Sequence, residues 1–152
     1  MSNLLVNKPC IAMSTFISGL LSLLLFIAPA DQQKLSRFTE QAKQEHKYIA
    51  VYFSGSDWCV HCHAFDKQVL QKASVQQLLQ EHYIYYNADF PQRKKLATEE
   101  QQLNAAWAEA LNPEGLFPLL VICDEQLQVK QRITRQLSPA ETEALLQEYS
   151  KQ

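Results

Sequence analysis

The sequence predicts an α/β fold in which a central mixed sheet of about four strands carries helices on both faces. Two short runs rich in β-branched and aromatic residues, 49–53 and 83–86, are each followed by apolar residues at helical spacing. A third run, 119–123, is continuously apolar, as is typical of a strand covered on both faces. A fourth strand follows it after a short polar turn, and this order of helices and strands favours helices on both sides of the sheet.

The elements are predicted one by one from spacing and from capping residues. Apolar residues at helical spacing predict the first helix, and Ser74 and Ser138 are suitable N-caps for two later ones. Pro139 follows Ser138 at the first helical position, where proline is favoured. In chain order we predict a helix over 31–47, a strand over 49–53, a helix from Cys59, a short helix over 75–80, a strand over 83–86, a helix over 96–110, strands over 119–123 and 127–133, and a helix from Ser138 to Tyr149.

Residues 1–30 are predicted to lie outside the folded domain, which then spans 31–152. Lys8 is the only charged residue among them, Ile11 to Ile27 is almost wholly apolar, and Ala28-Pro29-Ala30 is typical of a cleavage site. We interpret this segment as a secretory signal peptide, with an uncleaved signal anchor as the alternative. Either interpretation predicts an exported, periplasmic domain, and the second predicts one tethered to the membrane.

The charge pattern excludes some classes of partner. The chain has 14 basic and 16 acidic residues, a net charge of −2, and no long basic block, so no nucleic-acid partner is expected. The cluster Arg93-Lys94-Lys95 is interpreted as a solvated surface at the start of a helix. One domain of this size can bury its own core, and a monomer is expected.

The motif Trp58-Cys59-Val60-His61-Cys62 lies at the junction between the first strand and the next helix. Two cysteines two residues apart form a dithiol that opens and closes reversibly, and an exported domain of this size does not need so short a loop for stability. The motif therefore indicates redox exchange. A third cysteine, Cys123, lies in an apolar strand and is interpreted as a small buried hydrophobic residue.

Several motifs together resemble the thioredoxin superfamily over essentially all of 31–152. They are Trp-Cys-x-x-Cys after the first strand, Phe117-Pro118 before an apolar strand, the closing hairpin and the C-terminal helix. The segments 54–59 and 89–92 resemble more specifically the DsbH-type periplasmic thioredoxin-like proteins, which are disulfide reductases or thioredoxin disulfide isomerases. The resemblance implies exchange of disulfides with protein substrates without a cofactor. It also implies that Pro118 is a cis proline packed against the dithiol and that the backbone before it, at Phe117, binds substrate.

The roles of the motif residues follow from where each lies relative to the helix. Exchange needs an exposed thiolate of lowered pKa, and we expect Cys59, at the helix N-terminus, to attack and Cys62, one turn inside, to resolve the mixed disulfide. His61 is expected to stabilise the Cys59 thiolate and so make the disulfide more oxidising, and Trp58 to shield the dithiol. A DsbD-like membrane reductant would keep the pair reduced, whereas a DsbB-like quinone system would keep it oxidised.

Two further expectations concern proton transfer and metals. Thioredoxins place a buried carboxylate in the strand before the motif, but Tyr52 and Phe53 occupy the corresponding positions here. The alternative function is a metal-binding or metal-delivery module that uses Cys59, Cys62, His61 and His63. Structural zinc needs four converging ligands, and adjacent helical residues point about 100° apart. Thiol exchange is therefore preferred and no metal is expected.

Overall fold

The computed structural model describes residues 30–134 and 137–150 of the chain. Within them the structure has five α-helices around a single four-stranded sheet, which confirms the predicted class and strand number. The predicted signal segment lies outside the described residues, apart from Ala30 at the start of the first helix. The elements are α1 Ala30–Glu45, β1 Tyr48–Ser54, α2 Val60–Phe65, a π-helical turn Asp66–Leu70, α3 Ala73–His82, β2 Tyr83–Asp89, α4 Thr98–Leu111, β3 Leu119–Cys123, β4 Val129–Thr134 and α5 Pro139–Tyr149.

The strand order is β2-β1-β3-β4, and the sheet is mixed as predicted. β1 pairs in parallel with β2, whereas β3 is antiparallel to both β1 and β4. The register places Ser54 opposite Asp89 at the carboxyl ends of the parallel pair. The loops that follow β1 and β2 therefore begin side by side at one edge of the sheet, and this edge carries the dithiol motif.

Alternate residues of the two central strands enter two separate cores. Ile49, Val51 and Phe53 of β1 pack in the core with residues of α1 and α4. Ala50 and Tyr52 of the same strand pack in the other core with residues of α3 and α5. Complete burial of one large apolar side chain contributes roughly 1.5–3 kcal/mol, so both cores hold β1 in one register. Helices on both faces thus fix the end of β1 from which the motif projects.

The local structure departs from the prediction in α3 and the segment before it. The helix that starts after Cys59 is not continuous, because α2 ends at Phe65 and a π-helical turn follows. α3 begins at Ala73 with Lys72 as its N-cap, so the predicted cap Ser74 lies in the first turn. The Ser74 side chain instead hydrogen-bonds Glu143 of α5 and lowers the pKa of that carboxyl. A hydrogen bond to another helix has thus replaced the predicted capping hydrogen bond within α3.

Two further boundaries differ from the prediction. β2 extends to Asp89 because Asn87, Ala88 and Asp89 continue the parallel pairing with β1, although two of them are residues that strands usually lack. α4 begins only at Thr98, so Arg93-Lys94-Lys95 belongs to the loop between β2 and α4 and is not the start of a helix. The capping of α5 by Ser138, with Pro139 at its first position, is confirmed.

Candidate active site

Cys59 and Cys62 form a disulfide at the start of α2, with their Cα atoms 5.2 Å apart. Cys59 is the N-cap residue of α2, and its Sγ accepts the backbone N–H of Cys62 over 3.1 Å. The first N–H groups of a helix lack partners within the helix, and an N-cap side chain commonly satisfies one of them. The same N–H donor would stabilise a thiolate on Cys59 when the disulfide is reduced.

Both cysteines are more buried than the sequence indicated. Only 5% of Cys59 and 2% of Cys62 is exposed, although Val60 beside them is 74% exposed. The expectation of an open Cys59 therefore does not hold for the oxidised form. The physical reason is that a place at the helix N-terminus does not by itself expose the Cys59 sulfur, which is here bonded to the Cys62 sulfur. Asymmetry between the two cysteines comes from the N-cap geometry instead.

Three aromatic side chains meet on one side of the motif. The Trp58 ring packs edge-on against Phe117 at 5.5 Å, and Phe117 packs edge-on against Phe90 at 5.6 Å. The Trp58 indole N–H also donates to the Phe90 carbonyl over 2.7 Å. A Cβ atom at Gly55 would overlap the Trp58 ring, so glycine is required there for the indole to lie across the turn. The structure therefore brings together Trp58 and Phe117, two residues that the sequence singled out separately.

The peptide bond between Phe117 and Pro118 is cis, as the resemblance implied. It immediately precedes β3, and Leu119 of β3 is paired with Phe53 of β1. The cis peptide, the Phe117 ring and the start of the motif therefore lie at the same edge of the sheet.

Two aspartates that sequence reasoning did not select connect the motif to the loop after β2. Asp57 accepts backbone N–H groups from Gln92, Arg93 and Lys94 at 2.9, 2.7 and 3.0 Å. These hydrogen bonds, foremost that from Gln92, lower the pKa of the Asp57 carboxyl. Asp89 accepts the backbone N–H of Ser56 over 2.8 Å and its hydroxyl over 2.6 Å. The available signal was their position, since each aspartate lies at or just beyond the end of one of two strands that pair in parallel.

Tyr52 occupies one of the two candidate strand positions for the buried carboxylate of thioredoxins. Its hydroxyl donates to the backbone carbonyl of Cys62 over 3.2 Å, and its ring stacks on Phe65 at 5.5 Å. Burial, with a smaller contribution from Asp66, raises the pKa of Tyr52 well above its usual range. Tyr52 is therefore a neutral donor that fixes the backbone at Cys62, and Phe53 faces the opposite core.

Comparisons with known proteins agree with this geometry. Residues 31–124 match the family model for thioredoxin-like proteins. The chain belongs to the thioredoxin-like family. It is 33% identical over 126 residues to a disulfide bond reductase, DsbH, of Chlamydia pneumoniae, an alignment that covers 81% of this chain and 75% of that protein.

Solved structures place the chain in the same group. A structure described as DsbH oxidoreductase matches with a TM-score of 0.66 and 29% identity, over 75% of this chain and 79% of that one. A disulphide isomerase from Xylella fastidiosa matches with a TM-score of 0.52 and 17% identity, over 84% of this chain and 97% of that one, which bears on the fold alone. Family, fold and the Cys59–Cys62 disulfide together make this thioredoxin-like chain a thiol–disulfide oxidoreductase.

The two histidines near the cysteines differ in their surroundings. His61 lies in the first turn of α2 and is exposed. His63 Nε2 lies 2.7 Å from the carbonyl oxygen of Ser56 and must carry the proton there, because a carbonyl only accepts. His63 thus links α2 to the turn before the motif. Among the described residues no group of three or more His, Cys, Asp or Glu side chains is arranged to hold a metal ion.

Cys123 is buried in β3, as predicted, and it is the one cysteine of the described ranges that is outside the disulfide. Burial, and to a smaller extent the nearby Asp124, raises the pKa of its thiol to about 12. A thiol in this state is a poor nucleophile at neutral pH. No helix within the described residues is long and apolar enough to cross a membrane.

Proposed function

We propose that this chain is an exported enzyme that reduces or isomerises disulfides in protein substrates through Cys59 and Cys62. The observation that carries the proposal is the pairing of the two sulfurs at the N-cap of α2, with the Cys62 N–H directed at the Cys59 sulfur. The name of the Chlamydia relative, a disulfide bond reductase, supports the reductive direction.

In the reductive direction the dithiol supplies two electrons. The Cys59 thiolate attacks one sulfur of the substrate disulfide, and the other substrate sulfur leaves as a thiolate that takes up a proton. Cys62 then loses its proton and attacks the Cys59 sulfur, which releases the second substrate thiolate. The enzyme ends as the Cys59–Cys62 disulfide, the form seen in the structure.

The residues around the dithiol are assigned supporting roles. Phe117 and Pro118 would present backbone groups to an extended substrate segment, and Trp58 would shield the mixed disulfide from water. No carboxylate occupies the positions of Tyr52 and Phe53, so water is the proposed acceptor of the Cys62 proton. His61 would adjust the stability of the Cys59 thiolate.

The compartment and the redox partner belong to the same proposal. Residues 1–30 would direct export, cleaved or retained as an anchor, and 31–152 would form the periplasmic domain. A reductase in an oxidising compartment must be reduced again after each cycle. We therefore propose a DsbD-like membrane reductant as the partner, in preference to a DsbB-like quinone system, and a monomeric enzyme that needs neither cofactor nor metal.

Insulin reduction with glutathione as the electron source tests the activity. The wild-type domain is expected to reduce insulin well above the uncatalysed rate, and a Cys59→Ser, Cys62→Ser double variant is expected to match the blank. Trapping of thiols in living cells tests the direction, with mostly reduced Cys59 and Cys62 expected. Absence of insulin turnover by folded, reduced protein would disprove the proposed function, and a fully oxidised pair in cells would disprove the reductive direction.

A further inference from the structure

A cationic segment lies beside the dithiol, and nothing in the function proposed above uses it. We call residues 92–95, Gln92-Arg93-Lys94-Lys95, the basic loop. All four residues are exposed. The sequence suggested that these cations mark a helix start, but α4 begins at Thr98 with Ala97 as its N-cap.

Local electrostatics do not account for three cations at this place. The loop precedes the N-terminus of α4, where the helix dipole favours negative charge and disfavours cations. Within residues 30–134 and 137–150, no carboxylate forms an ion pair with the side chains of Arg93, Lys94 or Lys95. The chain as a whole carries a net charge of −2. The Asp57 carboxylate interacts electrostatically with Arg93, but the three cations outnumber it, so the basic loop is a local excess of positive charge in a chain of net negative charge.

The basic loop is fixed to the motif by hydrogen bonds from both sides. Asp57 accepts three consecutive backbone N–H groups of the loop, and Trp58 donates to the carbonyl of Phe90 just before it. Asp57 is two residues from Cys59, a separation of at most about 7 Å between Cα atoms. Because Asp57 binds the backbone, the cationic side chains remain available to solvent. The loop is therefore held at a set place on the rim of the dithiol.

We propose that the basic loop is a docking surface for acidic segments that flank the disulfide of a substrate protein. This inference rests on the proposed function and specifies the substrate class. An acidic segment bound to Arg93, Lys94 and Lys95 would bring its neighbouring disulfide to Cys59. An anionic membrane surface has the same charge, but it has no disulfide to present to a dithiol on the same rim, so protein is the favoured occupant.

The attraction has a defined dependence on salt. Exposed charges act over a screening length of about 10 Å at 0.1 M salt and about 3 Å at 1 M. Steering by a local cationic patch raises association rates at low salt and fades as salt increases. The preference for acidic substrates should therefore appear in kcat/KM, mainly through KM, and should disappear in high salt.

The test uses three synthetic disulfide peptides that are identical except for flanking Glu, Gln or Lys residues. At low salt, wild type is expected to show kcat/KM about tenfold higher for the Glu peptide than for the Lys peptide, in line with steering by three charges. The ratio should approach one in the variant Arg93→Gln, Lys94→Gln, Lys95→Gln and should invert in the corresponding triple Glu variant. A matched control removes three lysines near Tyr48, at the opposite end of β1, and should keep the wild-type ratio, namely Lys43→Gln, Lys47→Gln, Lys130→Gln.

The outcomes separate this inference from the function on which it rests. Failure to reduce even the Gln peptide would disprove the proposed function. Equal turnover of all three peptides by wild type, or a preference that survives in the triple Glu variant, would overturn the docking surface while leaving the function intact. Vesicles of phosphatidylglycerol form the last arm. If the basic loop binds them and the peptide ratio is one, the loop is a membrane contact and the inference is wrong.

Discussion

The two ends of β1 each lie beside cysteine, and the two environments are chemically opposite. At the carboxyl end, the chain leaves the sheet through a turn held by Asp89 and Asp57 and reaches a disulfide at a helix N-cap. At the other end, Ile49 pairs with Cys123, whose thiol is fully buried with a raised pKa. One residue type is thus a candidate nucleophile in one place and an inert side chain in the other. The two environments differ because Asp57 and Asp89 bind backbone N–H groups around the turn after β1 and Cys59 caps a helix, whereas Cys123 is enclosed in the core.

The largest effect is expected from the motif cysteines. Cys59→Ser should abolish exchange, a loss of at least about a thousandfold, because the proposed attacking group is the sulfur that accepts the Cys62 N–H. Cys62→Ser should keep an attacking thiol and accumulate mixed disulfides with substrates. Insulin kinetics and mass spectrometry of trapped adducts measure the two effects. Adducts found on the Cys59→Ser protein would reverse the assignment of the two cysteines.

The next effect concerns the turn that shapes the carboxyl end of β1. Gly55→Ala places a methyl group inside the Trp58 ring and should displace the indole. Exchange is then expected to slow about tenfold, within the range that misplaced site residues cause. Trp107 is fully buried, so quenching of fluorescence by acrylamide reports mainly on Trp58 and should increase.

Gly115→Ala is the matched control for this variant. Gly115 has a φ of +64° and open space around its Cα. Alanine there should cost about 1–2 kcal/mol of stability through the left-handed conformation. Quenching and activity should stay at wild-type levels. If Gly55→Ala increases quenching but keeps wild-type activity, the position of Trp58 does not matter for exchange.

A smaller effect is expected from His61. His61→Pro should raise the pKa of the Cys59 thiol and lower the redox potential together, because both depend on the stability of one thiolate. Each pKa unit is worth about 1.4 kcal/mol, or about 30 mV in this two-electron couple. Proline is tolerated in the first turn of a helix, so α2 should persist. Thiolate absorbance measures the pKa, and equilibration with glutathione measures the redox potential. An unchanged potential would show that His61 does not affect the stability of the Cys59 thiolate.

The smallest effect is expected at the other end of β1. Cys123→Ala should leave activity within about twofold of wild type, since a buried, neutral thiol is a poor nucleophile. The raised pKa means that Cys123 stays protonated as pH rises until about 12. Iodoacetamide at pH 8 should therefore label it only after unfolding, as read by peptide mass spectrometry. Labelling of Cys123 in the native protein would show that its environment does not suppress the thiolate.

Much of the fold could be predicted because periodicity reports burial directly. The β-branched and aromatic run of β1 and the continuous apolar run of β3 both correspond to strands between two cores. The start of α5 was predictable because Ser138, Pro139 and Glu141 form their contacts within one turn. The start of α3 was not, because the Ser74 side chain bonds a distant glutamate and no local pattern reveals that partner.

By itself the sequence determined the class of fold, the dithiol and its place between a strand and a helix, because each depends on neighbours along the chain. Tertiary structure alone decided that the loop after β2 also contacts the dithiol motif. Parallel pairing of β1 with β2 aligns Ser54 with Asp89 and so brings together two loops more than thirty residues apart in the chain. Asp57 can then bind the basic loop and Trp58 can reach Phe90. The physical reason is that hydrogen bonds and ring contacts depend on distance in space, which strand register sets and sequence separation does not.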